Sequence, residues 1–186
     1  MKSAGETTLL AERVMDRMTQ KVVVVQVSDP LDLVVSRMRS LGISGFPVMD
    51  PYGRLAGVIS EIDIARSISP VKGVESFPGF LEVFLRAPRD ESSDPFKVLR
   101  DRLHHFRAGG CMTSPAVTIP PGASLAEAAA IMEDQGINRL PVVGEGRLLG
   151  ILTRTDIVKA VAHPLPYPPV HEPVGRPQTR GQGMAA

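Results

Sequence analysis

Two short motifs contain the same polar residue types at the same spacing. Ser60 is followed three residues later by Asp63, and Thr153 is followed three residues later by Asp156. At the start of a helix, a hydroxyl and a carboxylate at this spacing lie beside unpaired backbone N–H groups, where the helix dipole favours a phosphate. The carboxylate could also accept two hydrogen bonds from a ribose diol. The same spacing is an ordinary capping box, and by that interpretation the four residues only start two helices.

Both motifs lie in a duplicated sequence. A shift of 94 positions, which becomes 93 after a one-residue deletion, aligns residues 18–66 with residues 112–159. Of the 45 positions compared, in residues 18–48 and 53–66, 15 are identical. An ordered match of this kind indicates an internal repeat, and the fold must be read from one copy at a time.

Each copy has the pattern of a β-α-β-β-α unit. Residues 22–27 and 116–119 are apolar runs typical of a buried strand. After a helix, the first copy has two short predicted strands, residues 46–49 and 54–59, joined by a turn sequence. The second copy turns more tightly at residues 144–146. A last helix is predicted to begin at each Ser/Thr-x-x-Asp motif.

The first helix of each copy has recognisable start and stop signals. Asp29-Pro30 is predicted to start the helix of the first copy, and Ser124 with Glu127 forms a capping box in the second. Gly42 and Gly136 stand where the end of a helix favours a residue with positive φ. Between these signals of the first copy, apolar residues recur at helical spacing: Leu31, Val34, Val35, Met38 and Leu41.

These residues resemble the cystathionine-β-synthase (CBS) domain family, and the tandem copies resemble a Bateman module. The family pattern is a Met-Thr opening, Gly-Ile-x-x-hydrophobic-Pro-Val, Gly-Arg-Leu-x-Gly and Ser/Thr-x-x-Asp, and both copies contain it in that order. The resemblance covers residues 12–68 and 108–162. It implies an α/β fold in which two β-α-β-β-α CBS repeats pack with pseudo-two-fold symmetry. We expect a helical insertion at residues 69–107 and a flexible Pro/Gly-rich tail at residues 163–186.

The resemblance also implies two adenosyl sites, in which the Asp binds ribose, the Ser or Thr binds phosphate, and the first strand and the Gly-Ile turn hold adenine. The ligand would be AMP, ADP, ATP or S-adenosylmethionine, acting as a regulatory ligand and not as a required cofactor. The expected first site consists of Val22, Val23, Val24, Ile43, Ser44, Pro47, Ser60 and Asp63. The expected second site consists of Ala116, Val117, Ile137, Asn138, Arg139, Pro141, Thr153, Arg154 and Asp156.

The two expected sites differ in charge. The second has Arg139 and Arg154 where the first has Gly45 and Glu61. Because an Arg binds phosphate bidentately and an acid repels it, we expect the second site to take a phosphorylated adenosine. The first site is expected to stay empty or to take an uncharged or cationic adenosyl group. In the alternative, both arginines point into solvent.

Composition narrows the class of protein. The 186 residues carry 21 Lys and Arg against 20 Asp and Glu, a net charge of +1, which gives no general reason to bind nucleic acid or an anionic membrane. The one cysteine excludes an internal disulfide, and no uncharged apolar run approaches the ~20 residues of a membrane span. The first residues lack the apolar segment of a secretory signal, so we expect a cytoplasmic protein.

The expected insertion is too aromatic for a plain linker, with five of the six phenylalanines of the chain. Asp94-Pro95 predicts the start of a helix through Phe106, and residues 78–85 are a shorter helix candidate. These helices could cover the module or lengthen its linker, contact a second subunit or a regulated partner, or, least favoured, bind nucleic acid. The histidines and the cysteine nearby, at positions 104, 105 and 111, lack the spacing of a metal site, so no metal is expected.

No catalytic motif is recognisable: the sequence lacks a P-loop, a Gly-x-Ser-x-Gly elbow and a His-Glu-x-x-His pair. Cys111 is interpreted as a small buried side chain. The sequence therefore predicts a non-enzymatic regulatory module that binds an adenosyl ligand and acts on an unidentified effector protein, and the resemblance alone implies a homodimer. The alternatives are a structural protein with degenerate sites that acts through its insertion, and an enzyme activity within the insertion.

Overall fold

The computed structural model describes residues 12–68 and 97–163. The first part contains one short helix and then a complete repeat: α1 (Val14–Arg17), β1 (Val25–Gln26), α2 (Leu31–Leu41), β2 (Gly45–Met49), β3 (Leu55–Ser60) and α3 (Glu61–Ile68). The second part contains two helices and then the second repeat: α4 (Lys97–His105), α5 (Ala108–Cys111), α6 (Leu125–Asp134), β4 (Arg139–Gly144), β5 (Arg147–Thr153) and α7 (Arg154–Ala162).

The strands of the two repeats pair in the same way. In the first repeat, β1 is parallel to β2, and β2 is antiparallel to β3. In the second, β4 is antiparallel to β5, and a single parallel bridge from Ile119 to Val142 takes the place of β1. The bridge has the register of the first repeat, where Val25 pairs with Val48. The β-α-β-β-α topology expected from the sequence is therefore confirmed.

Each repeat has its own apolar core, and each core receives a helix from outside its repeat. Val14 of α1 is fully buried among residues of the second repeat. Ala108 and Cys111 of α5 are buried among residues of the first repeat. The short helix that opens each copy therefore packs in the core of the other copy. Cys111 is a buried free thiol, as predicted.

Backbone hydrogen bonds hold the opening segment of each copy on the other copy. Thr19 and Ile151 exchange two N–H···O bonds of 2.9 and 3.0 Å. At the equivalent place in the other repeat, Val58 and Thr113 exchange two bonds of 3.1 and 2.9 Å. The Met-Thr pair of each copy thus adds an antiparallel bridge to the last strand of the other copy.

Two local predictions were wrong in detail. The strand expected at residues 22–27 forms only at Val25–Gln26, since Val23 is 40% exposed and lies at a cavity wall. The helix expected to start at Asp29-Pro30 has Pro30 as its N-cap, without a side-chain cap. The Asp29 carboxylate instead accepts a 3.0 Å bond from the backbone N–H of Gln26.

Other local predictions were confirmed. Ser124 and Glu127 form the expected capping box at α6. Gly42 and Gly136 have φ of 64° and 62°, in the left-handed region that a helix C-terminus favours.

Helix α4 shows what the last part of the insertion does. Its Leu103 is 4% exposed in the core of the first repeat, and Phe106 packs against the same core. This part of the insertion covers the module. The helix candidate at residues 78–85, the Asp94-Pro95 start and the tail from residue 164 lie outside the described residues. Within the described ranges, none of the helices combines the length and apolar character that a bilayer crossing requires.

Candidate ligand-binding clefts

Both Ser/Thr-x-x-Asp motifs start a helix and cap it. The backbone N–H of Ser60 donates to Asp63 Oδ2 at 2.8 Å, and the Ser60 hydroxyl donates to the same oxygen at 2.5 Å. The corresponding distances from Thr153 to Asp156 Oδ2 are 2.8 and 2.6 Å. Both motifs therefore cap their helices, and capping does not exclude a ligand role. Capping uses one carboxylate oxygen of each Asp and leaves the other for a different partner.

The second carboxylate oxygen differs between the two motifs. Asp63 Oδ1 accepts a 3.0 Å hydrogen bond from the Thr113 hydroxyl, which the exchanged opening segment brings there. Asp156 Oδ1 has no hydrogen-bond partner among the described residues. A ribose at Asp63 would have to displace or share the hydroxyl of Thr113.

In the described part of the chain, two cavities of the size of small-molecule sites lie between the repeats. The larger, of about 690 Å³, is called the large cleft. Its walls are formed by Thr19, Lys21, Val22, Val23, Gly42, Ile43, Ser44, Gly45, Phe46, Pro47, Asn138, Arg139, Ile151, Thr153, Arg154, Thr155 and Val158. The smaller, of about 450 Å³, is called the small cleft. Its walls are formed by Ser44, Val58, Ser60, Glu61, Ile62, Asp63, Arg66, Thr113, Ala116, Val117, Gln135, Gly136, Ile137, Asn138 and Arg139.

Each expected site was assigned to one repeat, whereas each cleft contains residues of both repeats. The large cleft joins the first-strand segment and Gly-Ile turn of the first repeat to the start of α7 in the second. The small cleft joins the corresponding segments of the second repeat to the start of α3 in the first. The grouping by repeat therefore differs from the structure, because the pseudo-two-fold packing turns the start of each last helix toward the other repeat.

Most residues expected at the sites lie in one of these clefts. Those of the expected first site that line the large cleft are Val22, Val23, Ile43, Ser44 and Pro47, whereas Ser60 and Asp63 line the small cleft. Those of the expected second site that line the small cleft are Ala116, Val117, Ile137, Asn138 and Arg139, whereas Thr153 and Arg154 line the large cleft together with Asn138 and Arg139. Three expected residues line neither cleft: Val24, Pro141 and Asp156.

Sequence reasoning missed several cleft residues. Thr19 and Lys21 line the large cleft, and Thr113 and Arg66 line the small one. A signal was present for the threonines, because the Met-Thr pair is repeated at the same place in both copies. The Met-Thr pair reaches a cleft only because the opening segment of each copy packs on the other copy, and no local sequence pattern indicates this packing.

The clefts differ in charge. Lys21, Arg139 and Arg154 line the large cleft, and none of the described residues in its walls is acidic. In the small cleft, Glu61 and Asp63 are balanced by Arg66 and Arg139. The large cleft is therefore the one whose walls favour an anionic group.

Arg139 lies between the clefts and contributes to both walls. It is half-buried, and its Nη2 donates a 2.7 Å hydrogen bond to the Ser44 hydroxyl. Burial lowers the pKa of the Arg139 guanidinium from its ordinary value, while the negative charges of Glu61 and Asp63 act in the opposite direction. The alternative in which this arginine points into solvent is therefore wrong. Arg154 is exposed but stands at the wall of the large cleft.

Substituting Gly45 with alanine is expected to displace Arg139. A Cβ at position 45 would lie 2.6 Å from Arg139 Cζ and 2.7 Å from the Ile59 carbonyl oxygen, both inside van der Waals contact. The arginine must move, and the strand backbone at Ile59 must also shift, because a new side-chain conformation of Arg139 leaves the overlap with the carbonyl oxygen in place. Overpacking of this kind costs about 1–3 kcal/mol. Urea unfolding of the Gly45→Ala variant measures the loss of stability. Gly122→Ala is the control, since a Cβ there meets no described residue within 4 Å. Equal behaviour of both variants would contradict the packing of Arg139 on Gly45.

The two histidines considered above as metal ligands contact other groups. His104 Nδ1 is 2.9 Å from a carboxylate oxygen of Asp32. His105 Nδ1 contacts the Asp101 carbonyl oxygen at 2.7 Å. Among residues 12–68 and 97–163, no group of three or more His, Cys, Asp or Glu side chains is placed to hold a metal ion.

Comparisons with known proteins agree with this architecture. The family model described as CBS domain matches residues 11–70 and 108–163. The uncharacterized protein MJ1426 of Methanocaldococcus jannaschii is 33% identical over 157 residues, which cover 78% of this chain and 89% of that protein. Two other curated relatives from the same organism are longer, and the chain spans 35% and 42% of their lengths.

Solved structures are similar over most of the chain. The CBS domain of a CBS domain containing membrane protein from Sphaerobacter thermophilus has 31% identity and a TM-score of 0.66, covering 84% of this chain and 91% of that one. The complex of CBSX2, a protein of Arabidopsis thaliana, with AMP has 26% identity and a TM-score of 0.61, covering 81% and 97%. With two matched regions, a shared topology and clefts between the repeats, the chain belongs to the CBS domain family and is a tandem pair of CBS domains.

Proposed function

We propose that this chain is a non-enzymatic regulatory module that binds an adenosyl ligand between its CBS repeats and transmits occupancy to a partner protein. The observation that carries the proposal is that each cleft is built from both repeats, so a ligand in either cleft contacts both. A related structure, that of CBSX2, contains AMP. Such a ligand acts by binding one arrangement of the repeats more tightly than another, which shifts the population of that arrangement.

The large cleft is the proposed site for a phosphorylated adenosine, such as AMP, ADP or ATP. Its three cations and the hydroxyl of Thr153 at the start of α7 suit a phosphate, and the apolar segment at Val22 and Val23 suits a base. The small cleft, with balanced charges, is proposed to take an uncharged or cationic adenosyl group such as that of S-adenosylmethionine. The expected residues that line a cleft keep their proposed roles, whereas Val24, Pro141 and Asp156 line neither cleft. Asp156 contacts ligand only if its free oxygen turns toward the large cleft.

Calorimetry with AMP and adenosine tests the assignment of the large cleft. The Arg154→Gln variant is expected to bind AMP about ten- to a hundredfold more weakly, because one charge-assisted hydrogen bond of ~1.5–3 kcal/mol is lost. Adenosine, which has no phosphate, is expected to bind with nearly unchanged affinity. The matched control is Arg147→Gln, which removes an exposed arginine that lines neither cleft. Equal weakening of AMP and adenosine binding, or of both variants, would contradict the phosphate assignment.

The alternative function is a structural or interaction protein with degenerate ligand sites. Two observations favour it: Asp156 lines neither cleft, and Thr113 already binds Asp63. A ligand at free concentration c that binds only the folded state stabilises it by RT ln(1 + c/Kd), so the melting temperature rises as the ligand concentration exceeds Kd. Unchanged melting with AMP, ATP and S-adenosylmethionine at millimolar concentration would favour this alternative, and a concentration-dependent rise would favour the regulatory module. A homodimer and an effector protein remain part of the proposal.

A further inference from the structure

Of the described residues, three belong to the walls of both clefts: Ser44, Asn138 and Arg139. Ser44 and Asn138 occupy the same position in the two copies, 94 residues apart. Arg139 breaks this symmetry, because the equivalent position of the first copy is Gly45. The two clefts therefore share one guanidinium, which comes from the second repeat alone.

The surroundings of Arg139 place it between opposite electrostatic environments. On the side of the large cleft it lies with Lys21 and Arg154, and it is held by the Ser44 hydroxyl at 2.7 Å. On the side of the small cleft it lies with Glu61 and Asp63, whose negative charges interact with it. Gly45 leaves the space for the guanidinium, since a Cβ there would overlap it.

We propose that Arg139 couples the two clefts, so that a phosphate bound in the large cleft weakens the binding of a phosphate in the small cleft. The inference rests on the proposed function, and it adds that occupancy of one cleft regulates the affinity of the other. A planar guanidinium makes bidentate hydrogen bonds to one phosphate at a time. When it turns to a phosphate in the large cleft, Glu61 and Asp63 lose part of their compensation and repel a second anion.

The coupling predicts which pairs of ligands bind together. A phosphorylated adenosine in the large cleft is compatible with an uncharged or cationic adenosyl group in the small cleft, and it opposes a second phosphorylated one. The module would then respond to the combination of two ligands and not to the total concentration of adenine nucleotides. By linkage, the same factor acts in both directions.

Single tryptophans allow each cleft to be followed separately, because the chain contains none. Ile62 and Thr155 are equivalent positions in the two copies, and they line the small and the large cleft, respectively. Ile62→Trp and Thr155→Trp in the full chain report AMP binding at each cleft by fluorescence. The large cleft is then weakened selectively by Lys21→Ala with Arg154→Ala, two exposed side chains that line only that cleft.

The expected result is that removal of these two cations tightens AMP binding at the small cleft at least tenfold, because Arg139 is released to it. Adding Arg139→Gln is expected to cancel the gain, whereas adding Arg147→Gln leaves it. Adenosine, followed by the same reporters, is expected to show no gain. An AMP affinity at the small cleft that is unchanged by the double substitution overturns the coupling and leaves nucleotide binding intact. Absence of any response of either reporter to AMP, with no heat in calorimetry, overturns the coupling and the proposed function together.

Discussion

A Gly57→Val variant is expected to lose about 3 kcal/mol or more of unfolding free energy, although valine favours strands. Gly57 lies in β3, beneath the exchanged opening segment of the second copy. A Cβ there would lie 2.6 Å from the Thr113 carbonyl oxygen and 2.7 Å from Met112 Sδ. The segment must therefore leave the strand, and with it go the two backbone hydrogen bonds between Val58 and Thr113. Urea unfolding followed by circular dichroism measures the loss.

The equivalent glycine gives an internal check on this prediction. A Cβ at Gly150 would lie 2.5 Å from Met18 Sδ and 3.1 Å from the Thr19 carbonyl oxygen, so Gly150→Val is expected to be destabilising for the same reason. Gly110→Ala is the control, because a Cβ there meets nothing within 4 Å and alanine favours the helix. Valine variants as stable as the Gly110→Ala protein would show that the opening segments do not pack on these strands.

Replacing Glu12 with glutamine is expected to destabilise the fold by about 3–5 kcal/mol, the usual cost of removing one partner from a buried ion pair. Glu12 is 3% exposed, and its carboxylate binds Arg17 through two hydrogen bonds, one from Nη2 at 2.8 Å and one from Nε. The hydrogen bond and charge of Glu12 raise the pKa of the Arg17 guanidinium, which stays charged in the variant and loses its counterion. The measurement is the shift of the chemical unfolding midpoint.

An exposed pair provides the comparison for Glu12. Glu145, in the turn between β4 and β5, approaches Arg147 at the start of β5 to 3.5 Å, and most of both side chains is in solvent. Glu145→Gln is therefore expected to change stability by less than about 1 kcal/mol. The double variant Glu12→Gln with Arg17→Met, which removes both charges, is expected to recover part of the loss. If the Glu12 and Glu145 variants unfold at the same denaturant concentration, the buried pair contributes no more than the exposed one.

Local chemistry made much of the fold predictable from the sequence. The capping boxes at Ser124 and Thr153 and the positive φ of Gly42 depend on a few neighbouring residues, and these predictions hold in the structure. The repeat gave the topology, because two aligned copies of one pattern fold in the same way. The strand at residues 22–27 was overestimated because a β-branched run also suits an extended cleft wall, where Val22 and Val23 lie.

The arrangement of the clefts depends on packing between the repeats, which a linear pattern does not contain. The sequence identified Asp63 and Thr153 as cleft residues, but it placed each with the strand of its own repeat. Lys21 has no counterpart in the second copy, where Pro115 stands, so the repeat gave no signal for it. Arg139 was recognised as a cation for one site, whereas the structure places it in the walls of both.

The crossed packing of α1 and α5 has a consequence for the origin of the molecule. A single ancestral unit with the same architecture would have had an incomplete core, because the helix that fills it belongs to the neighbouring unit. Two separate chains of this kind would fill their cores only by exchanging their first helices, as domain-swapped dimers do. With both units in one chain, the exchange is intramolecular and takes place at high effective concentration.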